Sequence, residues 1–262
     1  MNNKKCRAEQ IVDALRPLDD VFWHKLAESR EFCQEVLQII LQNKDLTIIS
    51  SIPQKSLRNI EGRSVILDVM CEDATGKYYN IEVQKENNDN HQKRVRYNGS
   101  NMDTYIVEKG IKFDNIPDVY VIYLSQFDVF QREKTTYHVD RILRETGEIL
   151  DNGYYEMYVN ATVDDKTDIA ALMKVLASNK VPKDDRFQTV CKTIENLKVG
   201  KGRNEMCQLV EEYKAEGKKE GRAEGRAEGK IVAYKECGLS VEEIAEKVSL
   251  TVKEVEDILA NI

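Results

Sequence analysis

Two acidic residues set inside otherwise apolar strands, between Arg63 and Lys85, constrain this chain more than any other feature. Val65 to Cys71 and Tyr78 to Val83 are rich in β-branched and apolar residues, and Glu72-Asp73-Ala74-Thr75-Gly76 between them supplies turn residues. Gly76 takes positive φ there without steric cost. Asp68 interrupts the first strand, and Glu82 is wedged between Ile81 and Val83. An antiparallel hairpin centred on Thr75 sets position 68 opposite position 82. Directly opposed residues share a face, with Cβ atoms about 4.5–5.5 Å apart. Gln84, two residues beyond Glu82, returns to that face. Like charges so close are costly unless a cation lies between them, and oxygen-only donors suit Mg²⁺ or Mn²⁺. A hairpin with one solvated face explains the same pattern without a metal, so the spacing alone leaves both readings open.

The 262 residues hold one α/β-sized domain plus an appendage. Apolar residues make up 41% and charged residues 32%, as in a globular chain with a strongly charged surface. The net charge of −7 argues against a protein that coats nucleic acid without selectivity. DNA binding then needs a local basic surface or a bridging metal. Cys6, Cys33, Cys71, Cys191, Cys207 and Cys237 show no Cys-x-x-Cys spacing and read as free thiols of a reducing compartment. His24, His91 and His138 form no cluster along the sequence. No signal peptide and no apolar run near 20 residues is visible, so the expected location is the cytoplasm, with no membrane partner.

Residues 6–43 read as helical, with Leu18, Phe22, Leu26, Phe32, Val36, Leu37 and Ile40 recurring at spacings of three and four. Asp19 and Asp20 stand at a helix start, where acids cap and complement the dipole; the alternative is an auxiliary acid for the metal site. Leu46 to Ile52 is a candidate strand ended by Pro53, followed by a loop carrying Lys55, Arg58 and Arg63. After the hairpin and a polar loop, a helix is expected from His91 to Lys109. Lys93, Arg94 and Arg96 cluster in its first two turns, against the dipole. They are placed either for phosphate or for neighbouring acids. Val119 to Leu124 has the continuous apolar run of a strand buried on both faces. Tyr137 to Ile142 and Tyr154 to Val159 read as strands, with a turn at Asp151-Asn152-Gly153, and Lys166 to Ala177 as a helix. Residues 180–204 are weakly patterned.

From Asn204 the character changes. Glu216-Gly217, Glu220-Gly221, Glu224-Gly225 and Glu228-Gly229 form a four-residue repeat that places Lys218, Arg222, Arg226 and Lys230 in one self-repelling helical row. Interior glycines weaken such a helix by roughly 1 kcal/mol each. A second chain with opposed rows would stabilise it, so the stretch is either an oligomerisation helix or a tether. The tail from Gly238 carries two capping-box spacings, Ser240 with Glu243 and Thr251 with Glu254, in a helix-turn-helix outline. Its last helix offers Lys253 against Glu254, Glu256 and Asp257, which suits protein contact better than DNA reading. The expected domains are 1–200, 204–237 and 238–262.

The order of helix, strand, Asp-bearing strand, Glu-x-Gln strand, basic helix and buried strand resembles the αβββαβ core of the PD-(D/E)XK nuclease superfamily. More closely, the chain resembles the recombination-promoting Rpn nucleases, also described as PD-(D/E)XK nuclease family transposases. Ile52-Pro53-Gln54-Lys55-Ser56-Leu57, Gly62 to Asp68, Asn80-Ile81-Glu82-Val83-Gln84, Arg94-Val95-Arg96-Tyr97 and Tyr137-His138-Val139-Asp140-Arg141 carry the likeness. It implies an α/β, restriction-endonuclease-like fold with a mixed sheet and a C-terminal helical extension. It also implies a metal-dependent DNA endonuclease of recombination or a mobile element. Asp68, Glu82 and the Val83 carbonyl would hold Mg²⁺ or Mn²⁺, and Lys93, Arg94 and Arg96 would contact phosphates. Gln84 stands where the superfamily pattern has lysine; it can orient a water but adds no charge. A catalytically inactive relative that binds DNA or protein is the alternative.

Overall fold

The computed structural model describes residues 6–57 and 64–260. Arg58, Gly62 and Arg63 lie outside the described residues. The chain divides into two units, one ending at Cys207 and one starting at Gln208.

The first unit opens with three helices, α1 (Arg7–Ala14), α2 (Asp20–Ala27) and α3 (Arg30–Ile40). The helical periodicity of residues 6–43 is therefore cut twice, after Leu15 and at Ser29, whose hydroxyl accepts from Phe32 N–H to start α3. Strands β1 (Ile48–Leu57), β2 (Val65–Asp73) and β3 (Tyr78–Gln84) follow, then α4 (His91–Ile106) and β4 (Val119–Ser125). This is the αβββαβ order expected. Short strands β5 (Thr136–Val139), β6 (Arg141–Ile142) and β7 (Ile149–Leu150) precede β8 (Tyr154–Asn160), α5 (Asp168–Leu176) and α6 (Gln188–Lys198).

Six strands form one mixed sheet in the order β1-β2-β3-β4-β8-β5. The pairs β1·β2, β2·β3 and β5·β8 are antiparallel, and β3·β4 and β4·β8 are parallel. β4 lies inside the sheet between two parallel neighbours, as its unbroken apolar run requires. The turn after β2 puts Gly76 at φ 81°, and the hairpin pairs Val69 with Ile81, Met70 with Asn80 and Cys71 with Tyr79. That register continues to position 68 opposite position 82. Against one face lies α4, where Leu67, Val95, Met102, Val121, Tyr123 and Tyr158 share an apolar cluster.

Three sequence expectations are corrected. β1 does not stop at Pro53 but runs through it to Leu57. β1 is the edge strand, so the N–H that proline lacks is needed by no further strand. The single strand expected over Tyr137 to Ile142 breaks at Asp140 into β5, which pairs with β8, and β6, which pairs with β7 in a separate ribbon. The weakly patterned stretch 180–204 contains α6, whose Val190, Cys191, Ile194 and Leu197 are buried at spacings of one, three and three. Polar neighbours mask that stripe in the sequence.

The second unit contains most of α7 (Arg203–Glu236), followed by α8 (Val241–Val248) and α9 (Val252–Ala260). Ser240 and Glu243 form a reciprocal capping box, and Thr251 and Glu254 exchange the corresponding bonds. Ile231, Ile244, Ala245 and Val255 are the buried centre of this unit. Among the described residues no helix is long and apolar enough to cross a membrane.

α4 crosses the start of β8 so closely that a β-carbon on Gly99 would collide with the Tyr154 ring. Gly99→Ala should therefore lower unfolding free energy by about 1–3 kcal/mol through overpacking, read as a shift of the urea midpoint; an unmoved midpoint would contradict this packing.

Candidate active site

The last ladder pair of the hairpin is Val69 with Ile81. One step further, side chains take over from the backbone. Asp68 N–H donates to Glu82 Oε1 at 3.3 Å, and Val83 N–H donates to Asp68 Oδ2 at 2.8 Å. β3 meanwhile stays in register with β4, Glu82 beside Tyr123 and Gln84 beside Ser125. The two acids expected to meet do meet, at the point where β2 and β3 stop exchanging main-chain bonds.

Each carboxylate keeps one oxygen for something else. Asp68 Oδ1 faces His24 Nε2 at 3.7 Å. Glu82 Oε2 makes no hydrogen bond and lies 3.9 Å from Arg94 Nη2. Glu82 is 1% exposed, whereas the Asp68 side chain is 22% exposed. Burial, and then the Asp68 charge, push the Glu82 carboxyl up to about 8; the nearby Asn80 amide and Arg94 guanidinium pull it only part of the way back. A buried carboxylate oxygen with no partner, close to a second carboxylate, is the environment a hard cation relieves. Val83 N–H points to β2, so its carbonyl opens on that edge too, adding a third oxygen. Among the described residues no group of three or more His, Cys, Asp or Glu is arranged around a single metal position. The donors present, two carboxylates and one carbonyl, nonetheless fit Mg²⁺, which uses one or two carboxylates and keeps several waters.

The two acids of α2 divide. Asp19 occupies the N-cap position but makes no side-chain capping bond. It accepts instead from Arg16 N–H at 2.8 Å and Arg16 Nη2 at 3.0 Å, and pairs with Lys85 Nζ at 2.9 Å. Burial raises its carboxyl, but these cations outweigh burial and leave it below the ordinary value. Asp20 lies near enough to Asp68 to feel its charge: burial first, and the Asp68 charge next, push its carboxyl up. Of the two, Asp20 is the acid that reaches the field of Asp68.

The basic residues of α4 also divide. Lys93 and Arg96 are exposed and, with Arg94, Ser64, Ile66 and Asp89, line a cleft of about 480 Å³. Arg94 turns inward, donating from Nη1 to Gln84 Oε1 at 3.1 Å. Gln84 Nε2 donates to the Glu86 carbonyl at 3.0 Å.

Two histidines gain contacts that their sequence spacing did not reveal. Gln54, at φ 49° in β1, brings Nε2 to 3.0 Å from His24 Nδ1, and the other ring nitrogen faces Asp68. His24 is one helical turn from Asp20, and that i, i+4 relation was the available signal. His91 is buried, with Nδ1 2.7 Å from the Tyr123 hydroxyl and Nε2 3.0 Å from Asn87 Oδ1, and burial holds its pKa down. His138 is exposed on β5.

A family model described as PD-(D/E)XK nuclease family transposase matches residues 25–214, well over half of the chain. The chain belongs to this family. No curated protein and no solved structure matches it. Asp68, Glu82, Gln84 and the basic start of α4 fall within the matched PD-(D/E)XK region, while Asp19, Asp20 and His24 lie just before it.

The Glu82 shift fixes a pH dependence. A carboxyl whose folded pKa is raised binds more protons folded than unfolded, so stability falls as pH rises from its ordinary value of 4.5 toward 8. In chelator, Glu82→Gln should lose this slope and exceed the unsubstituted protein at pH 8 by on the order of 3 kcal/mol. Urea melts from pH 5 to 8 measure it; parallel pH profiles for the two proteins would refute it.

Proposed function

We propose that this PD-(D/E)XK family member is a Mg²⁺- or Mn²⁺-dependent endonuclease that hydrolyses DNA phosphodiester bonds, acting in recombination or with a mobile element in the cytoplasm. One observation carries the reading: Asp68 N–H donates to Glu82 and Val83 N–H donates to Asp68, so the two acids are held together while each retains a second oxygen outside that exchange. Asp68, Glu82 and the Val83 carbonyl would hold the ion, with Asp20 as an auxiliary acid at the α2 side. A divalent ion there supplies Lewis-acid stabilisation of phosphate charge and lowers the pKa of a water.

The chain's own groups do the remaining work. Lys93 and Arg96, exposed along the cleft, hold the strand through sequence-independent phosphate contacts. The Gln84 amide, fixed at both ends by Arg94 and the Glu86 carbonyl, orients a water beside the acids. The tail is read as a protein-contact module. Homo-oligomerisation through the C-terminal helices is proposed from the Glu-Gly repeat, whose self-repelling charge rows a second copy with opposed rows would stabilise and whose Gly217, Gly221, Gly225 and Gly229 allow close approach.

A second reading is a catalytically inactive relative that serves as a DNA- or protein-binding module. Gln84 favours it, because an amide already bonded at both its oxygen and its nitrogen brings no charge of its own to a water. Nicking of supercoiled plasmid separates the two. With Mg²⁺ or Mn²⁺ the unsubstituted protein should nick, and Asp68→Ala should lose at least about 100-fold. Nicking that survives Asp68→Ala would remove the endonuclease reading, and no nicking at all would leave the binding module.

A further inference from the structure

Arg94 is the basic residue of α4 that does not behave like its neighbours. Lys93 and Arg96 project into solvent, whereas the Arg94 guanidinium reaches two side chains of β3: Gln84 Oε1 at 3.1 Å and Glu82 Oε2 at 3.9 Å. Its position is held from behind. The Asn90 side chain caps α4 by accepting from Lys93 N–H, and Arg94 N–H donates to the Asn90 carbonyl. One residue into the helix, His91 joins the Tyr123 hydroxyl of β4 to Asn87. Tyr123 is the register neighbour of Glu82. The start of α4 is thus tied to the same pair of strands that carry the acid, and the guanidinium stays near Glu82. A cation in the first turn opposes the helix dipole; a buried carboxylate within ion-pair range offsets that cost.

Resting on the metal-site reading above, we propose that Arg94 is a positioning residue rather than a phosphate contact. Its guanidinium donates to Gln84, is the resident cationic neighbour of the Glu82 carboxyl, and stands where a divalent ion would approach Glu82 Oε2. It sets the concentration at which the site loads. Without the metal, the guanidinium faces an oxygen that has no hydrogen bond. When a divalent ion arrives, the same positive charge stands beside it and weakens its binding.

Calorimetric titration of the free protein with Mn²⁺ at pH 8.5, where the Glu82 carboxyl is mainly ionised, tests this without DNA or turnover. Arg94→Gln should bind Mn²⁺ about tenfold more tightly, since a like charge near the ion is gone. Gln84 already ends at the guanidinium, so Gln84→Lys in the Arg94→Gln background returns a charge to the same place and should restore the original affinity within about threefold. Lys93→Gln, which removes an exposed charge, should change it less than about twofold. The Arg94 side chain is 37% exposed, so its replacement opens no cavity in the core. Unchanged or weaker Mn²⁺ binding in Arg94→Gln, a shift that Gln84→Lys fails to reverse, or an equal shift in Lys93→Gln each overturns the proposal. An unsubstituted protein that binds no Mn²⁺ overturns the metal-site reading itself, and this inference with it.

Discussion

Everything at the site depends on one exchange, in which Asp68 and Glu82 replace the rung that would follow Val69 and Ile81 in the β2–β3 ladder. A main-chain rung would seal the two strands together. A side-chain rung keeps them in register while holding two carboxylates at the mouth of the gap. The same bonds consume one oxygen of each acid and leave the other outside that exchange. Local hairpin geometry and chemistry are therefore inseparable here.

Such a concentration of negative charge needs support, and the structure supplies it from both sides. On the α4 side, Arg94 reaches Glu82 and Gln84. On the other, a ring of bonds runs through the end of β3: Gln126 N–H donates to the Gln84 carbonyl, Arg16 Nη1 to Gln126 Oε1 at 2.8 Å, and Arg16 also to Asp19. Lys85 closes the ring on Asp19 at 2.9 Å. Asp19 is thereby committed to structure, which leaves Asp20, without such cations bonded to it, to feel the charge of Asp68. Two adjacent acids of one sequence motif differ in surroundings because only Asp19 is bonded directly to a guanidinium and an ammonium.

The parts legible in the sequence were those governed by local period. Alternation about a turn glycine located the hairpin, its register and the facing of positions 68 and 82. Continuous apolarity marked β4, and Ser or Thr followed three residues later by Glu marked the starts of α8 and α9. What escaped was decided by neighbours distant in the chain. Pro53 reads as a strand end, yet β1 continues past it because no strand lies beyond that edge. α6 was hidden because its buried stripe is diluted by polar residues, and it is recognised only once Phe187, Val190 and Ile194 are seen in the interior. His24 looked isolated until Gln54 and Asp68 closed around it.

By itself the sequence determined that two acids would face one another across a hairpin, because a strand repeats every two residues and the turn sets the count. It also determined the αβββαβ order and the presence of a basic cluster at the head of α4. The tertiary structure decided which member of each charged set interacts with the acids: Asp20, and not Asp19, feels the Asp68 charge, and Arg94, not Lys93 or Arg96, reaches Glu82. Period places a residue on a face, but the partner of a charge is set by which long-range element packs within a few ångströms of it. Coulomb energy falls with distance and with exposure to water.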